Sequence, residues 1–213
     1  MSYNSILKKE IIETEIKKSR FIGYSCPVET EEEALKFVEY IKSENPQARH
    51  NCFAYIIGEK KLTQRYSDDG EPSGTAGIPI LDIIKKKDIT DICIVVTRYF
   101  GGILLGAGGL IRAYSNAAND VVNKSIIVEK KYFSSFTLKI DYNSYGRILN
   151  YLEENGVYIK NKQYEEDVSL NVFIEEEKEE NLRKNLLDLT SGNIQILFNK
   201  KNLMNTINGQ LYI

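Results

Sequence analysis

The stretch Ile92-Cys93-Ile94-Val95-Val96-Thr97-Arg98-Tyr99-Phe100-Gly101-Gly102-Ile103-Leu104-Leu105-Gly106-Ala107-Gly108-Gly109 decides how the first half of the chain folds. Its opening run is continuous and β-branched, the pattern of a strand covered on both faces. A glycine-rich turn follows. Then Ala107, Leu110, Ile111, Tyr114, Ala117, Ala118, Val121 and Val122 recur at i, i+3, i+4 and i+7, which predicts an amphipathic helix. Its other stripe, Gly108, Arg112, Ser115 and Asn119, is short-chained and almost uncharged, unlike an ordinary solvated face.

Working outward, residues 7–28 carry two β-rich runs around Ser19. Thr30-Glu31-Glu32-Glu33 has the capping-box pattern that opens a helix, and Pro46 closes that segment. A hairpin is expected from Asn51–Ile57 and Leu62–Tyr66. A polar loop, Ser67 to Gly77, leads to a short helix around Ile80, Leu81 and Ile84, with Ser73 or Thr75 as its cap. Pro79 is tolerated there only in a first turn. From Tyr132 the periodicity restarts: strand 133–141, helix 143–154, strands 157–164 and 168–175, helix 177–190 and strand 193–199. That order, β-α-β-β-α-β, is the ferredoxin-like signature. The chain therefore reads as α+β with two domains, 1–128 and 132–213.

Composition narrows the function. Twenty-eight basic against thirty acidic residues among 213 give a net charge of −2, so bulk charge does not make this a polyanion binder and any nucleic-acid site must be a local patch. The N-terminus lacks the apolar core of a secretory signal, and no apolar run approaches the ~20 residues of a membrane span. Cys26, Cys52 and Cys93 form no CxxC pair and there is one His, so neither a disulfide framework nor a metal site is expected. The expected setting is cytoplasmic, without membrane, metal or cofactor.

Eight of the fourteen glycines fall between Gly70 and Gly109, so the candidate chemistry is sought there. Gly101, Gly102, Gly106, Gly108 and Gly109 lie between a buried strand and a helix N-terminus, an arrangement that can present backbone N–H groups to an anion. Arg98 and Arg112, with Arg20 and Arg65, are the candidate phosphate-binding cations, and Lys85-Lys86-Lys87 is a peripheral patch. The spacing fits neither the dinucleotide fingerprint nor the P-loop, because Ala107 stands where the latter needs Lys. Asp69, Gly70, Gly74 and Thr75 belong to a loop expected to face the same cleft. An alternative reads His50, Asp68, Glu71 and Ser73 as a small hydrolase site, although Gly70-Glu71-Pro72-Ser73-Gly74 misses G-x-S-x-G.

Three segments together resemble the YigZ/IMPACT family: Lys18-Ser19-Arg20-Phe21-Ile22, Ser67 through Gly77, and Arg98-Tyr99-Phe100-Gly101-Gly102 followed by Leu105-Gly106-Ala107-Gly108-Gly109-Leu110. The resemblance implies an N-terminal β/α domain similar to domain four of elongation factor G. It also implies a ferredoxin-like domain similar to domain five of that factor. A translation-associated, RNA- or ribosome-binding role follows from the same resemblance. Eukaryotic IMPACT restrains an initiation-factor kinase through that kinase's coactivator; its extra N-terminal RWD domain has no room in residues 1–20. No catalytic residue is implied.

Overall fold

The computed structural model describes residues 2–212. The chain divides into two compact units, one comprising Tyr3–Glu129 and the other made of Ser2 and the chain from Lys130 onward.

In the first unit a five-stranded antiparallel sheet is built from β2 (Glu10–Ile16), β3 (Ser19–Pro27), β4 (His50–Ile57), β5 (Thr63–Ser67) and β6 (Ile92–Tyr99), in the order β2-β3-β6-β4-β5. The central strand β6 is buried from Ile92 to Arg98 because both faces are covered. Ile92, Ile94 and Val96 pack with α2 (Gly77–Lys86) and α3 (Ala107–Lys124), whereas Cys93 and Val95 pack with α1 (Glu31–Glu44). The continuous apolar run thus serves two cores, each side chain alternating between them. Thr30 caps α1, its hydroxyl accepting the Glu33 N–H, as the capping-box pattern predicts. On α3, Leu110, Ala113, Tyr114, Ala117, Ala118, Val121 and Val122 are buried, but Ala107 and Ile111 are exposed. The periodicity includes those two because one apolar side chain on a stripe's margin does not shift its period.

Two further expectations need correction. Neither Ser73 nor Thr75 caps α2; that helix starts at Gly77, and its end is held by Asp68 from outside. A strand β1 (Ser2–Ile6) has no counterpart in the sequence pattern. It pairs with the strand that begins at Ile127, and its Asn4 O accepts the Thr90 N–H at 2.9 Å; both partners are remote in sequence, so nothing local marks it.

The second unit consists of β7 (Ile127–Ile140), which begins before the boundary, α4 (Tyr142–Glu154), β8 (Tyr158–Tyr164), β9 (Val168–Glu175), α5 (Glu179–Leu189), β10 (Ile194–Ile207) and β11 (Gln210–Tyr212). The order β10-β7-β9-β8 is that of a ferredoxin-like βαββαβ sheet, with β11 added outside β10. Asp141 caps α4 by accepting the Ser144 N–H, and Glu179 and Glu180 occupy the first turn of α5, where negative charge suits the helix dipole. Phe136, Leu138, Ile140, Val168, Leu170, Val172 and Ile174 pack against Ile148 and Leu152 of α4 and Leu182 and Leu186 of α5. β7 starts six residues before the strand expected at 133, and β10 runs eight residues past the expected end at 199. The β10–β11 hairpin turns on Asn208-Gly209, both at positive φ, the residue pair that a two-residue primed turn favours.

Candidate functional site

One end of the first unit's sheet gathers most of the residues singled out from the sequence. Register places Arg20 opposite Tyr99 and His50 opposite Arg98, so the start of β3, the end of β6 and the start of β4 meet there. The N-termini of α2 and α3 follow directly from loops at the same end.

Asp68 organises the first of these loops. Its Oδ1 accepts the N–H groups of Ala76 and Gly77 at 3.0 and 2.8 Å, and its Oδ2 accepts that of Gly74 at 2.9 Å. Burial works to raise this carboxyl, but the three backbone donors prevail and hold it below the usual Asp value. Asp69 Oδ2 accepts the Asn51 N–H at 2.7 Å, which fastens the loop to β4. Gly70 follows at a φ of +88°, with His50 beneath it, and the Thr75 hydroxyl donates to Pro72 O at 2.6 Å. The loop is a folded cap with its polar groups turned inward.

Glu71 links that loop to the glycine-rich segment. Its Oε1 accepts Arg98 Nη1 at 2.7 Å and the Tyr114 hydroxyl at 2.8 Å, and the Arg98 and Glu71 side chains are only 7% and 3% exposed. The guanidinium carbon lies 5.6 Å from the centre of the Phe21 ring and 5.5 Å from that of Phe100. Burial, aided by nearby Cys52 and Glu71, pushes the Tyr114 phenol up, so it remains a donor to Glu71. Arg98 is therefore a buried tie between β6, α3 and the Asp68–Gly77 loop.

The four arginines have different settings. Arg20 is exposed and bidentate to Glu13, at 2.7 and 3.0 Å. Arg65 pairs across β4 with Tyr55, which stands opposite Cys93, five residues along β6 from Arg98 and so roughly 17 Å away at ~3.3 Å per residue. Arg112 is exposed in the second turn of α3. Lys85, Lys86 and Lys87 stand at the far end of α2 from the Asp68 cap.

The hydrolase grouping does not assemble as a relay. Asp68 and Glu71 are engaged as described, His50 Nδ1 bonds to the Asp69 carbonyl at 2.9 Å, and Ser73 is exposed. Among the described residues no side chain of these four hydrogen-bonds to another of the four, and no three His, Cys, Asp or Glu side chains form a metal-binding group.

A feature that the residue pattern does not reveal lies beside Gly101. The β2–β3 hairpin turns on Lys17 and Lys18, with φ of 47° and 63°. Both lysines are exposed and both occupy the left-handed region, at a cost of about 1–2 kcal/mol per residue. A Cβ on Gly101 would lie 1.9 Å from the Lys18 carbonyl oxygen, and the Gly101 N–H donates to Ser19 Oγ at 3.1 Å. The basic turn is thus held against the glycine-rich segment. Next to it, Phe100, Ile103 and Leu104 are exposed, and a Cβ added to Gly102, Gly106 or Gly108 would meet nothing within 4 Å.

The Impact N-terminal domain matches residues 17–122 and a domain of unknown function, DUF1949, matches residues 138–193. The IMPACT family member YvyE of Bacillus subtilis is 43% identical over 195 residues, covering 92% of this chain and 90% of that protein. The chain belongs to the IMPACT family. The family member YigZ of Escherichia coli is 37% identical, covering 86% of this chain and 91% of its own. A solved structure described as a crystal structure of a hypothetical protein shares the fold with a TM-score of 0.62 at 34% identity, covering 93% of this chain and 98% of its own. The match to rabbit Protein IMPACT covers 56% of this chain and 37% of that protein, at 33% identity. The family match thus includes the Lys17-Lys18 turn, the Asp68 cap and the glycine-rich segment.

Proposed function

We propose that this IMPACT-family protein is a non-enzymatic, cytoplasmic, translation-associated regulator that binds RNA or a ribosomal site through the glycine-rich segment. The observation that carries the reading is the strained Lys17-Lys18 turn held against Gly101. A two-residue primed turn ordinarily uses Asn-Gly, as this chain does at Asn208-Gly209, so lysine here gives up stability for two adjacent exposed cations. Beside them, Gly102, Gly106 and Gly108 leave the backbone open to a phosphate, Arg112 adds a cation and the exposed Phe100 offers a ring. Arg98, tied to Glu71, supports this surface from beneath. A net charge of −2 makes such binding local.

Eukaryotic IMPACT is a translation regulator, which agrees with the reading. We also propose that the two units are counterparts of domains four and five of elongation factor G; the ferredoxin-like order of the second unit supports this.

The test is the double substitution Lys17→Asn/Lys18→Gly. It retains the turn and relieves its strain, so the fold should gain roughly 1 kcal/mol or more. Sedimentation with ribosomal subunits and binding to structured RNA at low salt should weaken, and the salt slope should fall by about 1.5 because two phosphate contacts are lost. Unchanged association would refute the reading.

A further inference from the structure

The ferredoxin-like unit buries one face of its sheet beneath α4 and α5, and among its described residues no helix of the unit covers the other face. Because Phe136, Leu138 and Ile140 point to the helices, Ser135, Thr137 and Lys139 of β7 point away, and the register carries the same sidedness to β9 and β8. On this outer face Tyr158 stands opposite Phe173, their ring centres 6.3 Å apart and tilted by 50°. The bulge in β8 between Ile159 and Asn161 places Lys160 over the same ring, its Nζ 5.9 Å from the Phe173 centre. In the adjoining row Thr137 bonds to Asn171 at 2.8 Å and to Asn199 at 3.1 Å, a line of amides across three strands. Tyr158, Lys160, Lys139 and Asn199 are exposed.

Charge distinguishes this face from the rest of its unit. After Lys130 the chain has 10 basic and 12 acidic residues, yet the outward positions from Ser135 to Lys139 and from Ser169 to Phe173 include Lys139 and no carboxylate, Lys160 adds a second cation, and the next outward carboxylate, Glu175, is paired with Lys131 and Lys178. Two rings, two cations and a row of amides on an open antiparallel sheet are the groups that unpaired nucleotides require. Bases stack on the rings, phosphates meet the lysines, and amides reach the exposed base edges.

We propose that the outer sheet face of the second unit is a stacking platform for single-stranded RNA, with Tyr158 and Phe173 receiving adjacent bases and Lys160 and Lys139 the phosphates. This deepens the RNA-binding reading above by naming a second surface and the unpaired state of its ligand.

The full-length protein is titrated into a fluorescein-labelled 12-nucleotide oligouridylate, with the corresponding duplex as comparison, and fluorescence anisotropy is followed. Single-stranded RNA should bind tighter than the duplex. Tyr158→Ala should weaken the single-stranded complex about five- to a hundred-fold with little change in salt slope, whereas Tyr158→Phe keeps the ring and should bind like wild type. Lys160→Ala should weaken binding and reduce the slope. Ultraviolet cross-linking followed by peptide mass analysis should place the uridine on the Tyr158 or Phe173 peptide, a result that altered folding alone does not produce. Equal affinity of Tyr158→Ala and wild type, a preference for the duplex, or cross-links confined to the first unit would overturn the platform. The two readings fail separately. Ribosome association lost on changing Lys17 and Lys18, with oligouridylate binding indifferent to Tyr158, removes only the platform; the reverse pattern removes only the first-unit site.

Discussion

Removing the Glu71 carboxylate should be among the most damaging single changes in the first unit. In Glu71→Ala, Arg98 Nη1 and the Tyr114 hydroxyl both lose their acceptor at a site where the Arg98 side chain is 7% exposed and its Nε already lacks a partner among the described residues. Breaking a buried pair from one side typically costs about 3–5 kcal/mol, because the remaining charge keeps its desolvation penalty without its attraction. At roughly 2–4 °C per kcal/mol for a chain of this size, the melting temperature should fall by about 6–20 °C. Replacing all three members with apolar or ring-conserving groups (Glu71→Leu/Arg98→Met/Tyr114→Phe) removes the stranded groups as well. That variant should lie within about 2 kcal/mol of wild type, since a buried ion pair and a well-packed apolar replacement are often similar in stability. Urea unfolding followed by circular dichroism gives both values. A loss below about 1 kcal/mol in Glu71→Ala, or a triple variant as unstable as its single changes summed, would refute the reasoning.

Acid should act through Asp68. Its folded-state pKa is depressed, so its contribution is complete above the unfolded value near ~3.9 and is lost as pH falls through the lower folded value. Asp68→Asn should therefore cost about 1–2 kcal/mol at pH 7, and the gap from wild type should close on acidification below about pH 4, as paired melts at several pH values will show. Gly101→Ala should destabilise the β2–β3 turn by about 2–3 kcal/mol in urea unfolding, because the added carbon meets backbone and not a movable side chain. Gly108→Ala meets nothing within 4 Å and should be neutral or stabilising by about 0.5 kcal/mol, yet it should weaken RNA association if the backbone there is approached by phosphate. An unchanged RNA affinity in that variant would remove Gly108 from the proposed interface.

Much of this architecture is legible from local pattern, because the responsible forces are local. The run Ile92–Val96 announces a strand with two apolar faces, Thr30 and Glu33 announce a helix start, and the alternation after Tyr132 announces the order of a ferredoxin-like unit. Each depends on burial periodicity or on a cap within four residues. The glycine density between Gly70 and Gly109 likewise locates the unusual backbone without any contact being known.

Tertiary structure alone decided what those residues do. Arg98 has the charge of a phosphate ligand in any sequence reading, but its role depends on Glu71, 27 residues away, meeting it in a site closed by Phe21 and Tyr114. Asp68 looks like ordinary turn chemistry until its carboxylate is found capping a helix that starts nine residues later. Lys17 and Lys18 look like solvated charges because neither composition nor spacing encodes a positive φ or the Lys18 carbonyl pressed against Gly101. Periodicity reports how far a side chain is from water along one element; pairing between segments distant in sequence is set by the packing of the whole unit, where desolvation decides which charges must find each other.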